Sequence, residues 1–344
     1  MKDIKSLTLE ELKEEIKGLG EKEFRAVQIY DWMHKKLVGS FDEMTNLSKP
    51  LREKLLREYT FCKVRMVREQ ISKQDGTRKY LFELEDKSMV ETVWMKYHHG
   101  NSVCISSQVG CRMGCRFCAS TLDGLKRSLT ASEMLEQIYE VIRQTKERVS
   151  NIVVMGTGEP LDNYDNLVRF LHLISNADGL NISQRNLTVS TCGLVPKMKE
   201  LAEERLQITL ALSLHATTDE KRREIMPIAN RYSIAELMDA CDEYYAKTKR
   251  RITFEYSLIG GVNDSEEEAA ALAALAGPRH CHVNLIPVNP VKERDYTAST
   301  HAAIQNFKAR LEKKQVNVTV RRSLGEDIDG ACGQLRRRYA EENS

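Results

Sequence analysis

Three cysteines, Cys111, Cys115 and Cys118, stand close together in the glycine-containing segment QVGCRMGCRFCAS. A closed [4Fe-4S] cube takes four thiolates, so a C-x3-C-x2-C triplet would hold three irons and leave the fourth open to a reactant. A structural zinc site is the competing reading. Zinc usually takes four ligands in paired spacings, and no Cys or His follows Cys118 within twenty residues. His98 and His99 lie upstream, so the residues alone leave zinc open.

Other chemistry-bearing residues fall where apolar, strand-like runs end. Gly156-Thr157-Gly158-Glu159-Pro160 follows the run Asn151 to Met155. Its glycines would let the backbone approach a ligand, and Glu159 offers an anionic acceptor for an amine. The third glycine of a dinucleotide fingerprint is missing, and a plain turn between strand and helix explains the segment when it is read alone. Ser190 and Thr191, Ser213 and His215, and Asn289 repeat this placement after later runs. Each has an ordinary reading as a turn former; shared placement at the mouth of one barrel is what would give them function.

The elements that must position these residues show in the hydrophobic periodicity. Residues 1 to 60 read as helical: Thr8 and Glu11 form a capping box, Leu9, Leu12, Ile16 and Leu19 share a face, and a second helix runs from about Phe24 to Lys36. Val64 to Met95 reads as extended, with a hairpin at Gln74-Asp75-Gly76. Beyond residue 100, strands at Ser102 to Ser106, Asn151 to Met155, Asn186 to Ser190, Gln207 to Leu214, Arg251 to Leu258 and Cys281 to Ile286 alternate with amphipathic helices. Thr130 with Glu133, Ser233 with Glu236 and Ser265 with Glu268 cap helices in this part. Parallel pairing needs a crossover each time, so six such units predict an α/β fold with a partial (βα)6 barrel, and Val316 to Arg322 would add an edge strand. The expected division is a small helical and mixed accessory domain over 1–95, a barrel over 96–325 and a tail over 326–344.

With 344 residues, 41% of them apolar and 30% charged, the chain is long enough for a large core and reads as an ordinary soluble protein. No apolar run is long enough to span a membrane, and the start MKDIKSLTLEELKEE reads as a helix rather than a signal peptide. Nine cysteines at irregular spacing do not suggest a secreted disulfide framework, so the expected location is the cytoplasm. The net charge of +2 conceals basic groups at Lys247, Lys249, Arg250 and Arg251, at Lys221, Arg222 and Arg223, at Arg321 and Arg322, and at Arg336, Arg337 and Arg338. Together they permit a nucleic-acid partner without requiring one.

The cysteine triplet resembles the cluster motif of radical S-adenosylmethionine (SAM) enzymes. In order along the chain stand CISSQVGC, MGTGEPLDNYDN, STCGLVP, LSLHA, GGVNDS, HVNLIPVNP and IDGACGQL, preceded by GLGEKEFRAVQIYDWM. This set resembles the RlmN family of dual-specificity adenine methyltransferases over nearly the whole chain. The resemblance implies methylation of adenine carbon 2 in 23S ribosomal RNA and in tRNA. It also implies one [4Fe-4S] cluster, two molecules of SAM per methylation, an electron donor such as flavodoxin or ferredoxin, and a monomer. A related family, Cfr, acts at carbon 8. Pro160, Asn163 to Asn166 and Cys192 look like the carbon-2 family, though no mechanism links them to that choice. A metal-stabilised RNA-binding module without catalysis is the alternative of another class; it would leave Cys104, Cys332 and Glu91 without a purpose.

Carried over residue by residue, the family pattern places the cluster ligands at Cys111, Cys115 and Cys118. It places the cofactor contacts at Gly158, Glu159, Ser190, Ser213, Leu214, His215 and Asn289. Cys332, in a tail segment expected to be flexible between Gly330 and Gly333, corresponds to the cysteine that first accepts a methyl group by displacement. Cys104 corresponds to the thiol that releases the protein-RNA adduct through a transient disulfide. Glu91 is the candidate base. By alternation it shares a strand face with Met89, Val93 and Met95, an apolar setting that would raise a carboxyl pKa. Cys62, Cys192, Cys241 and Cys281 receive no role; Cys241 falls on an apolar helix face, and core packing explains it.

Overall fold

The computed structural model describes residues 1–288, 296–329 and 332–343. Its centre is a ten-stranded sheet whose spatial order follows the sequence, so that each strand pairs with the next. We number them β1 Arg65–Ile71, β2 Arg78–Glu83, β3 Met89–Tyr97, β4 Gly100–Ile105, β5 Val149–Val154, β6 Leu187–Thr191, β7 Thr209–Ser213, β8 Ile252–Leu258, β9 Cys281–Pro287 and β10 Val318–Val320. Strands β1 to β4 pair antiparallel, whereas β4 to β10 pair parallel. Each parallel link needs a crossover, and helices α4 Ala131–Thr145, α5 Tyr164–Ser175, α6 Val195–Glu203, α7 Asp219–Ile225, α8 Ile234–Thr248, α9 Glu266–Ala276 and α10 His301–Lys313 supply it. The result is an α/β fold, a sheet with a parallel run crossed over by helices, whose edge strands are β1 and β10. The antiparallel strands hydrogen-bond directly onto the first parallel strand.

Local signals account for most of the helices. Thr130 and Ser233 accept from Glu133 N–H and Glu236 N–H, and those glutamates bond back to the cap backbones, completing two capping boxes. Ser265 accepts from Glu268 N–H, but the Glu268 carboxylate turns inward to Thr217, Lys221 and Tyr256. That third box is therefore only half formed, because partners across the fold outcompete the cap.

Before the sheet lie α1 Leu9–Gly18, α2 Phe24–His34 and α3 Lys49–Glu58. They bury Leu12, Ile16, Ala26, Ile29, Met33, Leu51 and Leu55. The segment before α1 is joined to α4 by a buried ion cluster: Lys5 pairs with Glu136, and Arg143 reaches the other Glu136 oxygen at 2.6 Å. Beside it His34 is fully buried, with Nδ1 at 2.7 Å from the Tyr139 hydroxyl.

Burial lowers the pKa of His34 from its ordinary 6.5 to about 3, and nearby Lys5 adds to the effect. Below pH 6.5 the unfolded chain therefore binds a proton that the folded chain refuses, and stability falls as the pH drops from 6.5 toward 3. At pH 5 this one residue should cost roughly 2 kcal/mol. Thermal melts at pH 7 and pH 5 should show a smaller acid-induced fall in Tm for His34→Gln than for the parent. An equal fall would mean that His34 is not the group responsible.

Candidate active site

The loop after β4 is built to hold its cysteines in one place. Gln108–Gly110 pairs antiparallel with Leu125–Ser128 and clips the loop at its base. Gly110 has φ +78°, and a Cβ there would lie 1.9 Å from the Gly124 carbonyl oxygen, so no other residue fits. Cys111 N–H then donates to that same carbonyl at 2.9 Å. The Thr121 hydroxyl bonds the carbonyls of Cys115 and Cys118 at 3.1 and 3.0 Å, closing the turn around the last two cysteines.

Cys111 and Cys115 are buried, Cys118 is half-buried, and all three line one cavity of about 270 Å³. Burial pushes the Cys111 thiol up to about 12 and the Cys115 thiol higher still, so the protons leave these sulfurs only in exchange for a strongly binding cation. Three thiols that line one cavity suit a cluster, since a cube presents its irons at separate corners.

The loops after β5, β6 and β7 form the rest of this cavity. Gly158 lines it with φ +110°, and a Cβ there would come within 2.6 Å of Gln108 Cβ. The close approach that this glycine allows is thus to the protein's own cysteine loop. Glu159 is buried and lines the cavity. Its oxygens accept from Cys192 N–H at 2.8 Å and Leu161 N–H at 3.1 Å, while burial raises its pKa against those donors. Ser190 and Ser213 face each other across β6 and β7 with their hydroxyl oxygens 3.3 Å apart.

Leu214 is fully buried, and its described polar links are backbone ones: its N–H donates to Glu255 O and its carbonyl accepts from Arg222. His215 has φ +58° and is enclosed. Its Nδ1 accepts from Ser257 N–H at 2.9 Å, so the ring is a neutral imidazole with its proton on Nε2; burial holds its pKa down at about 3. Asn289 lies outside the described residues.

A second cavity, of about 450 Å³, lies between β3, β4, β9 and the segment after β10. Cys104, buried on β4, lines it beside Val93, Met95, Arg321 and Arg322. Cys332, Met155, Ile286 and Arg321 line both cavities and mark where they meet. Cys332 is exposed, and its Sγ lies 3.7 Å from Met155 O. The surrounding protein pushes the thiol up to about 12, with neighbouring Cys104 contributing.

Glu91 is 5% exposed on β3, but its surroundings are more polar than alternation predicts. Its carboxylate meets Lys79 Nζ at 3.0 Å and accepts from Gly333 and Arg336 N–H at 2.6 and 2.8 Å. The expected flexible tail is also more ordered than its composition suggests. Gln334–Glu342 forms helix α11, held by Arg336 to Asp123, Arg68 to Glu342, and Arg68 stacked on Tyr339. Leu335 is its only described buried residue, so ionic contacts rather than an apolar stripe fix it.

Sequence reasoning missed Lys79, Arg222 and Glu255 and gave Cys192 no role. By sequence, Arg222 reads as part of a basic group with Lys221 and Arg223. It is in fact fully buried, donating to the carbonyls of Leu214, Cys192 and Ser213, and so it braces the loops that carry Ser213 and His215. Its neighbour Lys221 pairs with Glu268, and Lys247 pairs with Glu203 and Glu243. Glu255 and Cys192 line the cysteine-loop cavity; a lone charge in the apolar run ITFEYSL was the available signal for the first.

Comparison with known proteins agrees with this geometry. Residues 105–273 match the model of the radical SAM superfamily, and residues 2–60 match that of the ribosomal RNA large subunit methyltransferase N-terminal domain. A protein of Lachnoclostridium phytofermentans named as a probable dual-specificity RNA methyltransferase RlmN is 64% identical, covering 98% of this chain and 95% of the relative. One of the same name from Lachnospira eligens is 62% identical, covering 99% and 98%. The crystal structure of a radical SAM methyltransferase from Sphaerobacter thermophilus superposes with a TM-score of 0.93 at 42% identity, covering 97% of this chain and 99% of that one. Superfamily membership implies a [4Fe-4S] cluster and SAM, which the cysteine loop and its cavity fit. With its cysteine loop, its strand-end site and near full-length relatives in agreement, this chain belongs to the RlmN family of dual-specificity radical SAM RNA methyltransferases.

Proposed function

We propose that this methyltransferase acts on carbon 2 of adenine in 23S ribosomal RNA and tRNA in the cytoplasm, as a monomer fed by a flavodoxin- or ferredoxin-type donor, and that Cys332 carries the methyl group. The observation that carries this reading is the position of Cys332 at the junction of two cavities. One is lined by the cysteine loop, the other by Cys104.

In this reading Cys111, Cys115 and Cys118 hold the cluster. Gly158, Glu159, Ser190, Ser213, Leu214 and His215 border the SAM site, with Asn289 assigned on the family pattern alone. Bound there, cluster and SAM supply an electrophilic methyl group and a carbon radical. The protein's own residues do the rest. The Cys332 sulfur loses its proton, takes the methyl group and later joins it to the base. Glu91, close to this segment through its bond to Gly333, receives the proton displaced from the adenine. Cys104 then gives up its thiol proton and attacks the Cys332 sulfur; as the disulfide forms, the carbon–sulfur bond breaks and its electron pair goes to the released carbon, which takes up a proton to complete the methyl group. Arg321 and Arg322, at the larger cavity, offer cations to the RNA backbone.

Mass spectrometry of methyladenosine isomers in RNA from a deletion strain, with and without the restored gene, tests the carbon and the RNA. We expect 2-methyladenosine to vanish from both rRNA and tRNA and to return with the gene. Gene-dependent 8-methyladenosine instead would overturn the carbon-2 assignment, and loss from one RNA class would narrow the substrate.

A further inference from the structure

Strand register places a buried lysine beside the two candidate thiols. Lys79 on β2 stands directly opposite Val93 on β3, and Val93 directly opposite Cys104 on β4. Directly paired residues share a sheet face, so Lys79 and Cys104 point the same way, as does Glu91, two residues before Val93. Lys79 is fully buried. A buried ammonium is costly unless it is paired and hydrogen-bonded, and both of its described partners concern the tail. Its Nζ donates to Asp329 O at 2.5 Å and lies 3.0 Å from Glu91 Oε2. The same Glu91 oxygen accepts from Gly333 N–H, and the other accepts from Arg336 N–H in the first turn of α11.

One ammonium therefore ties down the chain on both sides of Cys332: residue 329 directly, and residue 333 through Glu91. Gly333, at φ +82°, is pressed against the cysteine loop as well, since a Cβ there would lie 3.2 Å from Ala119 Cβ. Free N–H groups at a helix start favour a carboxylate, and the lysine holds that carboxylate in place. An apolar side chain would fill the same space on β2 but could not grip Asp329 O or Glu91.

We propose that Lys79 is a positioning residue for methyl acceptance: its ammonium, acting through Glu91 and Asp329 O, clamps the segment carrying Cys332 at the junction of the two cavities. The proposal rests on the reading of Cys332 as methyl acceptor. The test compares Lys79→Met, Lys79→Arg and parent as full-length, cluster-loaded protein, by amide hydrogen exchange and by the fraction of Cys332 found methylated after a brief incubation with SAM.

Lys79→Met should speed exchange at Gly333 and Arg336 by on the order of 10-fold and lower Cys332 methylation comparably, while the amides of β2 and β3 and the iron content hold. Lys79→Arg should recover most of both. Unchanged exchange at Gly333 and Arg336 in Lys79→Met, or losses spread evenly over β2 and β3, would overturn the clamp. Should Lys79→Met not fold, Lys79→Gln takes its place, and failure of both to fold would show a core role and equally overturn the proposal. Cys332→Ala, assayed in parallel, separates the two ideas: if it still methylates RNA, the acceptor reading fails whatever Lys79 does.

Discussion

Replacing Cys115 by alanine should abolish both the iron-sulfur absorbance and all cleavage of SAM, the largest functional loss we expect from a single atom change in this protein. Cys115 is buried and lines the cavity, with Met226 and Cys192 packed nearby. Two remaining thiolates and no nearby substitute ligand cannot hold a cube. Cys192 packs in the same cluster of side chains, and its backbone N–H is committed to Glu159. Recruiting its thiol would therefore require the loop after β6 to move. The stability cost should be small by comparison, about 1 kcal/mol, because only a sulfur is removed from a site that already contains a cavity. Anaerobically reconstituted Cys115→Ala assayed for iron, sulfide and 5′-deoxyadenosine checks this. Full iron with normal cleavage would remove Cys115 from the ligand set.

Much of this architecture was legible because periodicity and crossovers leave few alternatives. Six parallel strands fall within a few residues of their expected ranges, and capping boxes at Thr8, Thr130 and Ser233 formed as spelled. The cysteine loop was legible because its chemistry is local. What stayed hidden depends on pairings between distant residues. Lys79, in the run RKYLFE, looks like a charge on a solvated strand, and only its register with Val93 and Cys104 turns it inward. Arg222, flanked by Lys221 and Arg223, reads as a basic patch until three carbonyls claim it. Helix α11 has almost no apolar stripe to find, since its anchors, Arg68, Glu91 and Asp123, come from more than two hundred residues earlier. Glu91 shows the limit of face alternation. The pattern identifies its side of the strand but not the lysine across the sheet or the helix start that comes to meet it.

Cys104→Ala should trap the enzyme on its RNA. If Cys104 serves only to attack the Cys332 sulfur, every earlier event survives its loss. The cysteine loop lies on another face of the site, Cys332 keeps its clamp, and the adduct still forms. Release alone fails: the other thiols that share a cavity with Cys332 are Cys111, Cys115 and Cys118, which the proposed reading commits to the cluster, and Cys192, which packs with Cys115. Among the described cysteines, Cys62, Cys241 and Cys281 line neither cavity, and Cys192, Cys111, Cys115 and Cys118 line only the one at the cysteine loop. The expected product is a protein-RNA species that survives denaturation and collapses to the free-protein band on nuclease treatment. A packing role would look quite different. Cys104 is buried between neighbours on β3 and β5, and deleting its sulfur would cost roughly 1 kcal/mol of stability with turnover intact. Denaturing electrophoresis of Cys104→Ala copurified with RNA separates the two. A double variant, Cys104→Ala with Cys332→Ala, supplies the control: on the proposed reading the RNA is held through the Cys332 sulfur, so the crosslink should be lost. Methylated RNA released at a normal rate by Cys104→Ala, with no nuclease-sensitive band, would remove Cys104 from the reaction and return it to the core.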